Sequence, residues 1–313
     1  MIFDAHGDIL TDLYQQVQKG NKQSFRTRHL DDYKNAGITH SIFVNWANPA
    51  DENPHLMQDI FVDAFEELAQ MRDIFHIITS YKDMDISIQE NKIGVILGIE
   101  GLSHLKDVSE LRDYYQKGVR HATLTWNEVN HFAGGLSSET YGLTLLGEEI
   151  LTEMERLGMI IDLAHSNPIS FQDILDHTTG PVIISHGNVK ALCPHIRNYT
   201  DDQLLAIKAR GGVVGICAIA PFLATDESER TVTTMAKHVD YAVQLLGIDH
   251  VGVGFDVCYY LSEHVTSNHV EGFQSIADAG NLFVELKRMG YSESDIQKIK
   301  YDNFARIVQQ VLR

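Results

Sequence analysis

Residues 93–100 read IGVILGIE, from Ile93 to Glu100. Seven mostly apolar residues stand on consecutive positions, without the alternation of a half-exposed strand. That pattern suits a strand buried on both faces of a parallel sheet. Similar runs occur at Ile2–Ala5, Ser41–Val44, Ala122–Thr125, Met159–Leu163, Val182–Ile184, Val213–Ala218 and Val251–Val253. Helical candidates lie between them. Leu146–Leu157 is apolar at helical spacing and stops at Gly158. Thr200 opens Gln203–Arg210, which Gly211 and Gly212 close. Thr231–Leu246, Ser292–Leu312 and Asp51–Arg72 are amphipathic. Eight strand-like runs alternating with helices predict the α/β class and a closed (β/α)8 TIM barrel, with an open doubly wound sheet as competitor.

The 313 residues exceed the ~250 typical of one such barrel and could also make two average domains. No linker, repeat or low-complexity segment stands out, so residues 1–313 are read as a single (β/α)8 catalytic domain. Hydrophobic content of 44% suits a full core. A net charge of −18 argues against nucleic acid, whose phosphates would be repelled. Cys193, Cys217 and Cys258 form no spaced framework, so a disulfide scaffold is not expected. No secretory signal and no apolar stretch of membrane-spanning length is visible. A cytoplasmic setting is the expectation.

The polar residues at the ends of the apolar runs carry the chemistry. The first run leads into Asp4-Ala-His6-Gly-Asp8, and others end at Glu100, His165, His186 and Asp256. In a (β/α)8 barrel the C-terminal strand ends converge on one mouth, where active sites are built. An isolated histidine after a strand is more often a loop residue, and HxD alone is a weak signal. Asp4 reads as a structural carboxylate. Glu100 is stronger, because a buried carboxylate is costly unless paired or coordinated. Imidazole with carboxylate suits zinc, manganese or iron. Two carboxylates and three imidazoles exceed the needs of one hydrolytic ion. Glu100 bridging two ions ~3.5–4 Å apart would use them all. His6 and Asp8 then serve one ion, and His165 and His186 the other. A bridging water would become a nucleophile near neutral pH, with Asp256 placed to orient it and pass its proton on. Of the sixteen histidines, His104, His131 and His195 lie near these positions and are read as non-ligands.

These motifs in this order, DAHGD, GIEG, IDLAH, ISH and GVGFD, resemble the membrane (renal-type) dipeptidases, peptidase family M19 of the amidohydrolase superfamily. The resemblance covers nearly the whole chain. It implies a barrel with two zinc ions on the residues above, manganese or another divalent metal being the alternative. It also implies cleavage of small dipeptides with tolerance of a C-terminal D-residue. The segment Cys193-Pro-His-Ile-Arg197-Asn198 resembles the one whose arginine binds the substrate carboxylate, and a guanidinium suits that pairing.

The sequence departs from the family in two places. Trp126, in LTWNEVN, stands where well-studied members have a histidine that helps hold the tetrahedral intermediate; Asn127, Asn130 or His131 is expected to substitute. The usual DFDG reads Asp256-Val-Cys258-Tyr, so the second aspartate is missing. Anchored members carry a leader and a lipid-attachment tail, and neither is seen, so no membrane anchor is expected. A homodimer is left open. Two alternatives stand beside the dipeptidase. One is another binuclear amidohydrolase acting on a lactone, cyclic amide or N-acyl amino acid. The other is a non-catalytic binding barrel, disfavoured by the cost of keeping so many polar groups buried.

Overall fold

The computed structural model describes residues 1–49, 51–261 and 270–313. Nine parallel strands run β1 (Ile2–Gly7), β2 (Ile38–Asn45), β3 (Phe75–Ile77), β4 (Ile93–Glu100), β5 (Val119–Thr123), β6 (Ile160–Asp162), β7 (Ile183–Gly187), β8 (Val213–Ile216) and β9 (Val251–Val253). Their order is β2-β1-β9-β8-β7-β6-β5-β4-β3, and β2 also pairs with β4. That is a closed (β/α)8 barrel with one extra strand. The addition, β3, lies along the first half of β4, with Phe75 opposite Ile93 and Ile77 opposite Val95. Its three residues include His76, so it makes no apolar run.

All residues of β1 and β4 are buried, as consecutive apolar patterning requires. The helices follow their caps. Thr144 caps Leu145–Leu157, and Gly158 closes it in the left-handed conformation at φ 73°. Thr200 and Gln203 form a capping box on Asp201–Ala209. The first long helix begins at Leu56 rather than Asp51. Pro54 disfavours helical backbone at the residue before it, and Asn53 is instead held by the Asp51 carboxylate. Ser292–Leu312 is broken by a π-helical turn at Lys298–Asp302.

The contacts divide the chain into two compact units. The first holds Met1–Asp8, Ser24–Ser41 and Ile184–Arg306; the second holds Ile9–Gln23, Ile42–Ile183 and Ile307–Arg313. In the first, Asp4 of β1 lies opposite Val253 of β9, and β9 pairs with β8 through Val214–Ile216. In the second, β4 pairs with β5 across a register shift at Leu97/Gly98, and β5 with β6. Gly98, at that shift, leaves room for a buried ring: a methyl on it would lie 2.5 Å from His121 Nδ1 and 3.1 Å from Ile42 Cγ2. Gly98→Ala is therefore expected to cost about 1–3 kcal/mol by overpacking. Urea unfolding measures it; an unchanged midpoint would show that the His121 ring gives way freely.

Candidate metal centre

In the first unit, β1 delivers His6, and Asp8 follows two residues later. Both are buried, as is His186 at the end of β7. One ligand-capable atom each from His6, Asp8 and Asp256 lies within 4.8 Å of the others. His6 Nε2 is 3.9 Å from Asp256 Oδ1, and the His6 and His186 rings are 3.8 Å apart. Ser185 Oγ lies 2.8 Å from His186 Nδ1. On the other side of that ring, Arg197 Nη2 is 2.7 Å from His186 Nε2. A guanidinium can only donate, so the Nε2 lone pair points at Arg197, and a metal ion on this nitrogen would displace that contact. Arg197 is itself buried, with Phe222 beneath its guanidinium.

Asp4 explains how Asp256 is presented. Its Oδ1 accepts the Phe255 N–H at 2.8 Å and the His6 N–H at 3.4 Å. The Asp256 N–H donates to the His6 carbonyl at 3.3 Å. The end of β9 is thereby latched to β1. Asp256 adopts φ 55° and His165 φ 67°, two of only four non-glycine residues with positive φ among those described. Such backbone is costly and persists where its surroundings enforce it. Burial pushes Asp8 up to about 7. Burial, then the Asp8 charge, pushes Asp256 well above the carboxylate range. Clustered carboxylates taken out of water resist ionising together unless a cation joins them. The donor set therefore fits a divalent metal ion.

In the second unit, Glu100 ends β4 and His165 follows β6. Glu100 Oε1 lies 2.9 Å from His165 Nε2, and His165 Nδ1 lies 2.9 Å from Asn127 Oδ1. An amide oxygen accepts, so Nδ1 carries the proton and Nε2 keeps its lone pair, which is how an outer partner orients a metal-binding imidazole. Below, the fully buried His121 and Asp162 pair at 2.9 Å, and Asp162 Oδ1 accepts the Ala164 N–H at 2.9 Å, holding the turn before His165. Trp126 packs 5.9 Å from the His165 ring and 5.4 Å from Trp46. Asn130 braces its own loop: its amide donates to the Leu124 carbonyl, and its oxygen accepts from Phe132 and Ala133.

The structure thus groups His6, Asp8, His186, Arg197 and Asp256 in one unit, and Glu100, His165, Asn127 and Trp126 in the other. His131 Nε2 lies 2.5 Å from the Leu105 carbonyl, and His195 Nδ1 accepts the Arg197 N–H. Trp46, Asp162 and His121 do not emerge from the sequence. Trp46 is one of only two tryptophans and follows β2 directly, a position that could have flagged it.

Buried imidazoles and carboxylates at the ends of barrel strands define a metal-dependent hydrolase of the (β/α)8 class. The chain belongs to the membrane dipeptidase family, peptidase family M19, whose model matches residues 1–313. It is 31% identical over 243 residues to an uncharacterised protein in the pqqA 5′ region of Klebsiella pneumoniae, covering 74% of this chain and 87% of that one. It is 30% identical over 289 residues to dipeptidase aclJ of Aspergillus oryzae, covering 87% of this chain and 66% of the fungal protein. The chain thus spans slightly less than two thirds of that relative's length. The fold is shared with a metallo peptidase from Rhodobacter sphaeroides, at a TM-score of 0.88, 21% identity and 99% coverage of both chains. Family membership makes the chain a metal-dependent hydrolase of the dipeptidase type. Among the described residues, no helix is long and apolar enough to cross a membrane.

Proposed function

We propose that the chain is a binuclear metallo-dipeptidase, folded as one catalytic domain, in which His6, Asp8, Glu100, His165 and His186 would hold two divalent ions, zinc or manganese, with Glu100 as the ligand that would be shared. The ions would supply Lewis acidity toward the scissile carbonyl and lower the pKa of the attacking water. The chain's own groups do the rest. Asn127 keeps the His165 proton on Nδ1, and Asp4 holds the loop that presents Asp256. Asp256 takes a proton and delivers it to the leaving amine. A cytoplasmic location remains part of this reading, and the oligomeric state is left open.

The observation that carries the substrate class is the buried Arg197 guanidinium, 2.7 Å from His186 Nε2. A permanent cation beside a ligand imidazole favours a substrate with a carboxylate close to the scissile bond, such as the C-terminal residue of a dipeptide. A lactone or simple cyclic amide lacks that group. The solved Rhodobacter relative is liganded with a phosphinate mimic of L-Ala-D-Ala, and we extend the reading to C-terminal D-residues, which rates on matched L-L and L-D dipeptides test.

A dipeptide should be cleaved well and its C-terminal amide poorly. Losing a hydrogen bond to a charged group costs roughly 1.5–3 kcal/mol, or about ten- to a hundred-fold in kcat/KM. Arg197→Met should collapse that ratio, and lysine should restore it in part, lacking the planar fork. A ratio unchanged in Arg197→Met would reopen the lactone and cyclic-amide alternatives.

A further inference from the structure

The second unit contains a cleft of about 510 Å³, lined by Met57, Glu100, His104, Trp126, Glu128 and His131 among others. Its charge is one-sided. Apart from Glu100, which the metal reading occupies, Asp51 and Glu128 contribute carboxylates, and no lysine or arginine occurs among the described lining residues. Burial holds His104 down to about 4, so it adds no positive charge near neutral pH.

Glu128 sits on the loop after β5, which is closed by a bridge between Val129 and Gly134. Asn130 Nδ2 donates to Glu128 Oε1 at 3.2 Å, and the turn around Asn130 fixes that amide. Glu128 Oε2 is shielded from water and accepts no hydrogen bond from the described residues. A carboxylate oxygen kept in this state is costly, and a cationic donor would relieve it. Trp126 lines the same cleft and packs against Trp46. An indole face offers a flat surface to an alkyl stem and a π-face to a cation.

We propose that this cleft receives the side chain of a dipeptide's amino-terminal residue and that Glu128 selects a long cationic one, lysine- or arginine-like. The proposal rests on the dipeptidase reading, in which Glu100, a lining residue of this cleft, is a metal ligand. The stem lies along Trp126, and the charged head pairs with the Glu128 carboxylate.

The decisive comparison is Lys-Ala against norleucine-Ala, which share a stem and differ in the charge. Wild type should favour Lys-Ala by about ten- to a hundred-fold in kcat/KM. In Glu128→Gln the ratio should approach one, and in Glu128→Lys it should invert. A ratio within one preparation does not depend on how much of the protein is folded. The second readout needs no hydrolysis. The only two tryptophans of the chain are Trp46 and Trp126, so intrinsic fluorescence reports on this wall. Lysinamide should perturb it at concentrations where norleucinamide does not, and Glu128→Gln should abolish the difference. If no dipeptide is cleaved but the Glu128-dependent lysinamide response persists, the dipeptidase reading fails and the cation selectivity stands. A wild-type preference near one, or a preference that survives Glu128→Gln, overturns the proposal. With neither cleavage nor a selective lysinamide response, both readings fall.

Discussion

Glu100→Gln is expected to empty the metal centre and abolish turnover. The side chain keeps its length and can still meet His165 Nε2, 2.9 Å away in the parent, so packing should survive. The negative charge is lost. A neutral amide cannot serve two cations as a carboxylate does. Losing an outer partner of a metal ligand typically costs 10–100-fold in affinity; losing a shared ligand should cost ~100-fold or more by the same scale. Elemental analysis after dialysis should find two ions per chain in the parent and far fewer in the variant. Chelation should remove metal and activity from the parent together, and zinc or manganese should restore both. Two ions per chain in Glu100→Gln would remove Glu100 from its shared role.

The barrel is legible because its strands obey a rule that does not depend on distant contacts. Strands covered on both faces read as unbroken apolar runs, and β4 and β8 do so plainly. The strand β3 is not legible, since its three residues owe their conformation to the Ile93–Val95 edge of β4. Helix ends follow local chemistry at Thr144, Thr200 and Gly158, where the capping atom lies within a few residues of the group it caps. The start of the Leu56 helix is misplaced by periodicity alone, because Pro54 outweighs the amphipathic pattern before it.

The candidate ligands can be named because each polar residue ends an apolar run, where burial demands a reason. Their supports cannot be. Asp162 pairs with His121 across 41 positions and Asn127 with His165 across 38. Neither His121 nor Asn127 carries a sequence mark that distinguishes a brace from an ordinary polar residue. The departure from the family at Trp126 makes Asn127, Asn130 and His131 candidates to replace the family histidine. The structure sets Asn127 against His165 and Asn130 against its own loop, and Trp126 supplies a hydrophobic wall at the histidine's position.

Asp256→Asn is expected to lower kcat by ~10²–10⁴-fold, the usual contribution of a general acid or base, while the fold and the metal content hold. The substitution is clean for a specific reason. Asp256 stands at φ 55°, a conformation that asparagine adopts at least as readily as aspartate and that β-branched residues resist. The loop's anchors do not involve the Asp256 side chain. Asp4 holds the Phe255 N–H, and the Asp256 N–H reaches the His6 carbonyl; both bonds survive the change. The amide can still orient a water, but it cannot take up a proton at neutral pH, and that capacity is the property the experiment isolates. Asp256→Ala would confuse the result by adding backbone strain. Three measurements on one preparation decide the matter: metal per chain, the urea midpoint and kcat. Low kcat with full metal and an unchanged midpoint assigns the proton to Asp256. Lost metal would instead make it a ligand alongside His6 and Asp8, whose atoms lie within 4.8 Å of its own. A near-normal kcat would leave Asp256 a structural residue, and the proton would have to be carried by another group.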